Sequence, residues 1–79
     1  MKIKLTAFGI AKDILSQRQM EFEFSGQSIS ALKRALVEKY PEFSKLKKLS
    51  FAVEEAYQTD DFQLSEQIEV VIIPPVSGG

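Results

Sequence analysis

The sequence contains no cysteine and no histidine. The first absence excludes a thiolate nucleophile, a persulfide on a side chain, a disulfide framework and the usual zinc site. The second removes the commonest general base near neutral pH. Carboxylates, hydroxyls and amines remain for chemistry, so the chain terminus itself becomes a candidate reactive group. No apolar run reaches the ~18 residues that a membrane-spanning helix needs. The stretch "MKIKLTAFG" alternates polar and apolar residues, where a signal peptide would be continuously apolar. A cytoplasmic protein with no membrane partner is the expectation.

What is present suits one small packed domain. The chain has 79 residues, 44% hydrophobic and 27% charged, with a net charge of −1. That balance argues against disorder and against a general nucleic-acid binder. The charge is unevenly placed. All 10 basic residues lie between Lys2 and Lys48. From Leu49 onward there are only acidic ones: Glu54, Glu55, Asp60, Asp61, Glu66 and Glu69. An acidic surface near the C-terminus would steer a basic partner toward it.

Periodicity organises the chain. "KIKLTAF" alternates from Lys2 to Phe8, with Ile3, Leu5 and Ala7 on one face, a strand signal. "QMEFEFS" places Met20, Phe22 and Phe24 inward and Glu21 and Glu23 outward. One antiparallel register sets Lys2 opposite Glu23 and Lys4 opposite Glu21, predicting cross-strand ion pairs. The intervening "GIAKDILSQR" is too long for a tight hairpin and can hold a helical turn around Ala11 to Leu15. Gly26 breaks the second strand. Ser28 can cap a helix with an inward stripe of Ile29, Leu32, Leu36 and Tyr40, its Lys33, Arg34 and Glu38 facing solvent. Pro41 ends that helix near Tyr40. "PEFSKLKK" reads as a connector, "LSFAVEEAY" as a strand with a short fourth strand after a turn at Glu54–Glu55, and "QTDDFQLSEQ" as a polar loop anchored by Phe62 and Leu64. "IEVVIIP" is the last and most apolar strand, suited to the middle of a sheet.

The order is β-β-α-β-(β)-β. A helix across one face of a mixed sheet, with the last strand parallel to the first, gives an α+β, ubiquitin-like β-grasp fold. In that arrangement Phe8, Val71 and Ile73 form an exposed apolar patch, the mark of a docking surface. The domain is expected to occupy residues 1–75 and a tail residues 76–79.

The tail is the most pointed feature. Pro74 and Pro75 lack a ladder donor and hold the backbone extended. Val76, Ser77, Gly78 and Gly79 then reach at most about 13–14 Å. Two terminal glycines give a segment thin enough to thread a narrow channel. At about 7% glycine usage, such a pair arises by chance about 0.5% of the time. The reading is a tethered carboxylate delivered into another protein's active site. Adenylation by ATP would turn it into an acyl donor, which sulfur would convert to a thiocarboxylate or an amine to an amide. The activating residues would belong to a partner, because nothing here resembles a phosphate-binding loop followed by a helix.

"PPVSGG" at the C-terminus resembles the ending of the small, sulfur-carrying subunits of molybdopterin synthase. "AFGIAKD" (Ala7 to Asp13), "FAVEEAY" (Phe51 to Tyr57) and "LSEQIEVVIIPPVSGG" (Leu64 to Gly79) are similar to segments of that family in the same order. The family commonly has asparagine where Glu54 stands, and a Gly-Asp pair at or just before Gln67–Ile68. The resemblance implies a non-catalytic sulfur donor. Gly79 would be adenylated by a ubiquitin-activating-like adenylyltransferase that uses ATP, then converted to a thiocarboxylate. The chain would join the large subunit of molybdopterin synthase in a heterotetramer and give sulfur to cyclic pyranopterin monophosphate. Gly78 would supply clearance, and Pro75, Val76 and Ser77 would belong to the inserted tail. Phe8, with Val71 and Ile73, would contact the partner. No metal and no cofactor is expected on this chain. A sulfur carrier for thiamine or tRNA thiolation, a ubiquitin-like protein modifier and a plain binding domain are the alternatives.

Overall fold

The alternation at the N-terminus becomes strand β1 (Lys2–Ala7), with Ile3, Leu5 and Ala7 buried. This computed structural model describes residues 1–46 and 48–75. Helix α1 (Gly9–Leu15) follows, then β2 (Gln19–Glu23), α2 (Ile29–Lys39), a 3-10 turn (Pro41–Lys45), β3 (Ser50–Val53), β4 (Ala56–Tyr57) and β5 (Glu69–Ile73). The sheet order is β2-β1-β5-β3-β4. β5 lies at the centre, parallel to β1 and antiparallel to β3. This is the ubiquitin-like β-grasp expected from the element order.

The register of β1 with β2 matches the charge pattern: Lys2 stands opposite Glu23 and Lys4 opposite Glu21. The expected ion pairs do not close. Among the described residues the ion pair within reach is Lys33–Asp60, at 3.7 Å. Long side chains on an open face gain little from closing such a pair and lose rotamer freedom by doing so. Lys33, expected to point into solvent, is half-buried as a result of leaning on the loop after β4.

α1 is longer than one turn because the Phe8 carbonyl accepts from the N–H groups of Ala11 and Lys12, and Ala11 and Leu15 are buried beneath it. In α2, Ser28 caps as expected, its Oγ accepting from the Ala31 N–H at 3.1 Å. Two further first-turn N–H groups, which a helix start always leaves free, donate to the 58–68 loop: Ile29 to the Phe62 carbonyl and Ser30 to that of Asp60. The loop is therefore stitched to the helix, and Leu64 is buried while Phe62 packs against the core. α2 stops at Lys39, just before Tyr40 and Pro41. The connector hides one core residue the pattern did not reveal: Phe43 is buried and stands edge-on to Tyr40 at 6.3 Å. Gly26 does more than end β2. Its φ is +118°, and a Cβ there would sit 2.6 Å from the Ala31 Cβ.

The turn at Glu54–Glu55 forms as expected, with Val53 opposite Ala56. Both glutamates have positive φ, 54° and 66°, the form of a two-residue hairpin turn that favours Asn-Gly. Gln67 has φ 65°. The two places where the sequence departs from the family's usual turn residues are thus left-handed positions. The fold keeps the turn and accepts the strain of non-glycine residues there.

Candidate functional site

Parallel pairing of β1 and β5 makes both strands leave the sheet at the same end. Ala7 faces Ile72, and the chain then turns at Phe8 into α1. Gly9, with φ +56°, lies against the ring of Pro74, close enough that a Cβ would be 3.7 Å from Pro74 Cγ. On the other side of β5, Ser50 stands opposite Ile73. The root of the tail thus leaves from the central strand, flanked by the end of β1 and the start of β3. Pro74 is half-buried and Pro75 exposed. Val76, Ser77, Gly78 and Gly79, proposed from sequence as the inserted tail and reactive end, lie outside the described residues.

The outward residues of β5 are Glu69, Val71 and Ile73, while Val70 and Ile72 are fully buried. Across the ladder, Ala52 pairs with both Val71 and Tyr57, so all three share the outer face. Together with Ile73 they line one shallow groove whose rim carries Glu54, Glu55 and Glu69. The carboxylate of Glu69 accepts from the Thr6 hydroxyl at 3.1 Å, which orients it on the neighbouring strand. The result is an apolar strip with an acidic rim.

Of the three interface residues read from sequence, Val71 and Ile73 are brought together in this groove and are half-buried. Phe8 follows directly on β1, which pairs with β5 on the side away from β3, and it is not among the residues lining this groove. It is 45% exposed, and the Arg18 guanidinium lies 5.3 Å from its ring centroid. Tyr57, at 69% the most exposed large hydrophobic residue described, was missed, as was Ala52. A signal existed: a two-residue turn at Glu54–Glu55 places Tyr57 opposite Ala52 once the hairpin register is written out. Ile10, 47% exposed on α1, was also not singled out.

A second groove runs past the tail root, lined by Lys48, Tyr57, Gln58, Ile73, Pro74 and Pro75. Tyr57 and Ile73 border both hollows, so the apolar strip is continuous with the place where the tail departs. Among the described residues no group of three or more metal-ligating side chains converges, and no helix is long and apolar enough to cross a membrane.

The sequence pattern of the ThiS family matches residues 5–79. The chain belongs to the ThiS family. Two relatives align over 83 residues, covering 100% of this chain and 99% of their own length. Both are molybdopterin synthase sulfur carrier subunits: one from Caenorhabditis briggsae at 35% identity, one from Caenorhabditis elegans at 30%. Among solved structures, SAMP1 from Haloferax volcanii superposes with a TM-score of 0.79 at 17% identity, over 100% of both chains. That likeness bears on the fold alone. In this ThiS-family chain, the described elements place the apolar strip and the tail root side by side.

Proposed function

We propose that the chain is the sulfur-carrier subunit of molybdopterin synthase, with the α-carboxylate of Gly79 as the carrying group. The observation that carries this reading is the end-to-end match to two sulfur carrier subunits of that synthase. In the proposed cycle, an adenylyltransferase partner joins the carboxylate to AMP from ATP, releasing pyrophosphate. A sulfide equivalent then attacks the acyl carbon and AMP leaves, giving a thiocarboxylate. Inside the large subunit of the synthase, sulfur passes to cyclic pyranopterin monophosphate. The cycle runs in the cytoplasm, with the two subunits paired as a heterotetramer.

The geometry supports this division of labour. The strip of Ala52, Tyr57, Val71 and Ile73 gives a partner an apolar surface to cover, and the acidic rim selects a basic one. The tail departs beside that strip, so a partner seated there receives Pro75, Val76, Ser77 and Gly78 as the inserted segment. Phe8 extends the contact to the other side of β5.

Reconstitution tests the reading. Chain bearing a synthetic Gly79 thiocarboxylate, mixed with the large subunit and the pterin precursor, is expected to yield molybdopterin; chain lacking Gly79 is expected to yield none and to keep its fold. Undiminished product from the truncated chain would sink the tail mechanism. Amide-linked conjugates in cells, in place of a mass gain of one oxygen-to-sulfur exchange, would point to a protein modifier.

A further inference from the structure

The two edges of the sheet differ. β4 is only Ala56–Tyr57, too short to template another strand, whereas β2 runs Gln19–Glu23. At the ends of the β1–β2 ladder, Ala7 N–H donates to the Arg18 carbonyl and Phe24 N–H to that of Met1. Antiparallel alternation then turns the backbone groups of Met20 and Phe22 toward β1. Those of Gln19, Glu21 and Glu23 point away from the sheet, and among the described residues none of them meets a partner.

Beside this edge lies a groove between β2 and α2. Phe22 and Phe24 form its floor, their rings 6.2 Å apart, with Ala31 and Ala35 on the helix side and Arg34 and Glu38 on the rim. On the outer face, Glu21 and Glu23 are exposed, and neither has a cation within ion-pair distance among the described residues.

We propose that the β2 edge is a second docking site, which takes an extended segment of a partner protein whose side chains alternate between basic and apolar. The backbone of that segment pairs with Gln19, Glu21 and Glu23. Residues opposite the two glutamates share their face, so they are basic. The intervening residues fall over the groove and are apolar. β1 already has this pattern, Lys2-Ile3-Lys4-Leu5, and meets the same glutamates from the other side. A second copy of the chain is a poor occupant. Antiparallel pairing of two β2 edges through their free groups, in the register that overlaps the whole of Gln19–Glu23, sets Glu21 against Glu21, a like-charge contact that destabilises the pair. The site lies at the opposite edge of the sheet from the tail-side strip, with β1 between β2 and the strip's nearest strand, β5, so both can be occupied at once.

The test is titration of the isotope-labelled full chain with a capped heptapeptide of alternating lysine and valine, followed by amide chemical shifts and hydrogen exchange. Shifts and slowed exchange centred on Gln19, Glu21 and Glu23 are expected. Methylating the peptide's pairing nitrogens is expected to weaken binding at least about tenfold, because paired main-chain groups supply the affinity. The exposed double variant Glu21→Lys, Glu23→Lys is expected to lose this peptide and bind one of alternating glutamate and valine. Equal binding of the methylated peptide, shifts centred on Tyr57 and Val71, or dimerisation of the free chain through β2 would each overturn the proposal.

Discussion

On the outer face of the sheet, the β2–β1 half carries Lys2, Lys4, Glu21 and Glu23, whereas the β5–β3–β4 half carries Val71, Ile73, Ala52 and Tyr57. The inner face beneath both halves is uniformly apolar: Ile3, Leu5, Phe22, Val70, Ile72 and Phe51 are buried. Stability asks only that one face of the sheet be covered. The charged half is solvated in the free chain, as its exposed Lys4, Glu21 and Glu23 require. The apolar half adds nothing that α2 and α1 do not already supply to the core, and its exposure has a reason elsewhere. That contrast points to a partner on the β5–β3–β4 side, where the tail also departs.

The comparison can be broken most forcefully from the inner face. Ile72→Ala removes a fully buried side chain from the central strand, and is expected to cost about 3 kcal/mol in urea unfolding. A loss under about 1 kcal/mol would mean that the inner face is no better packed than the outer one.

Tyr57→Asp probes the apolar half. Its stability is expected to stay within about 0.5 kcal/mol of the parent, since the side chain is mostly exposed. Affinity for the synthase large subunit, followed by calorimetry, is expected to fall by about 2 kcal/mol, roughly 30-fold. Lys4→Ala, on the charged half, is expected to change that affinity less than about twofold. Equal losses for the two variants would erase the distinction between the halves.

The hairpin that presents Tyr57 is itself strained. Glu55→Gly relieves a left-handed residue at φ 66° and is expected to stabilise by about 1 kcal/mol. For a domain of this size that raises the thermal midpoint by about 4–8 °C. An unchanged midpoint would show that the turn carries no strain. The smallest effect is expected at Lys33→Ala. It removes a 3.7 Å ion pair whose side chains are 39% and 70% exposed, worth under about 0.5 kcal/mol by thermal melting.

Residue order alone settled a good deal. Period-two alternation in Lys2–Ala7 and Gln19–Glu23 fixed which side chains are inward, and the opposed lysines and glutamates fixed the register, because a slip by one residue would turn every side chain over. Ser28, Pro41 and the spacing of Ile29, Leu32 and Leu36 defined the main helix, because capping and helical periodicity are local effects. The two terminal glycines, by what they lack, led to the proposal of Gly79 as the reactive end. Other features exist only once distant segments meet. Phe43 is a core residue because the turn after α2 folds it back under Tyr40. Gly26 is required because Ala31 comes to lie 2.6 Å from where its Cβ would be. Tyr57 and Ala52 join Val71 and Ile73 through the β3–β4 and β3–β5 pairings, and Arg18 comes to lie over the Phe8 ring. The free edge of β2 is likewise a product of strand order. Side-chain periodicity is written within a few residues of chain. Neighbours across the sheet are chosen by which strands pair, and that choice minimises exposed backbone and apolar surface over the whole domain.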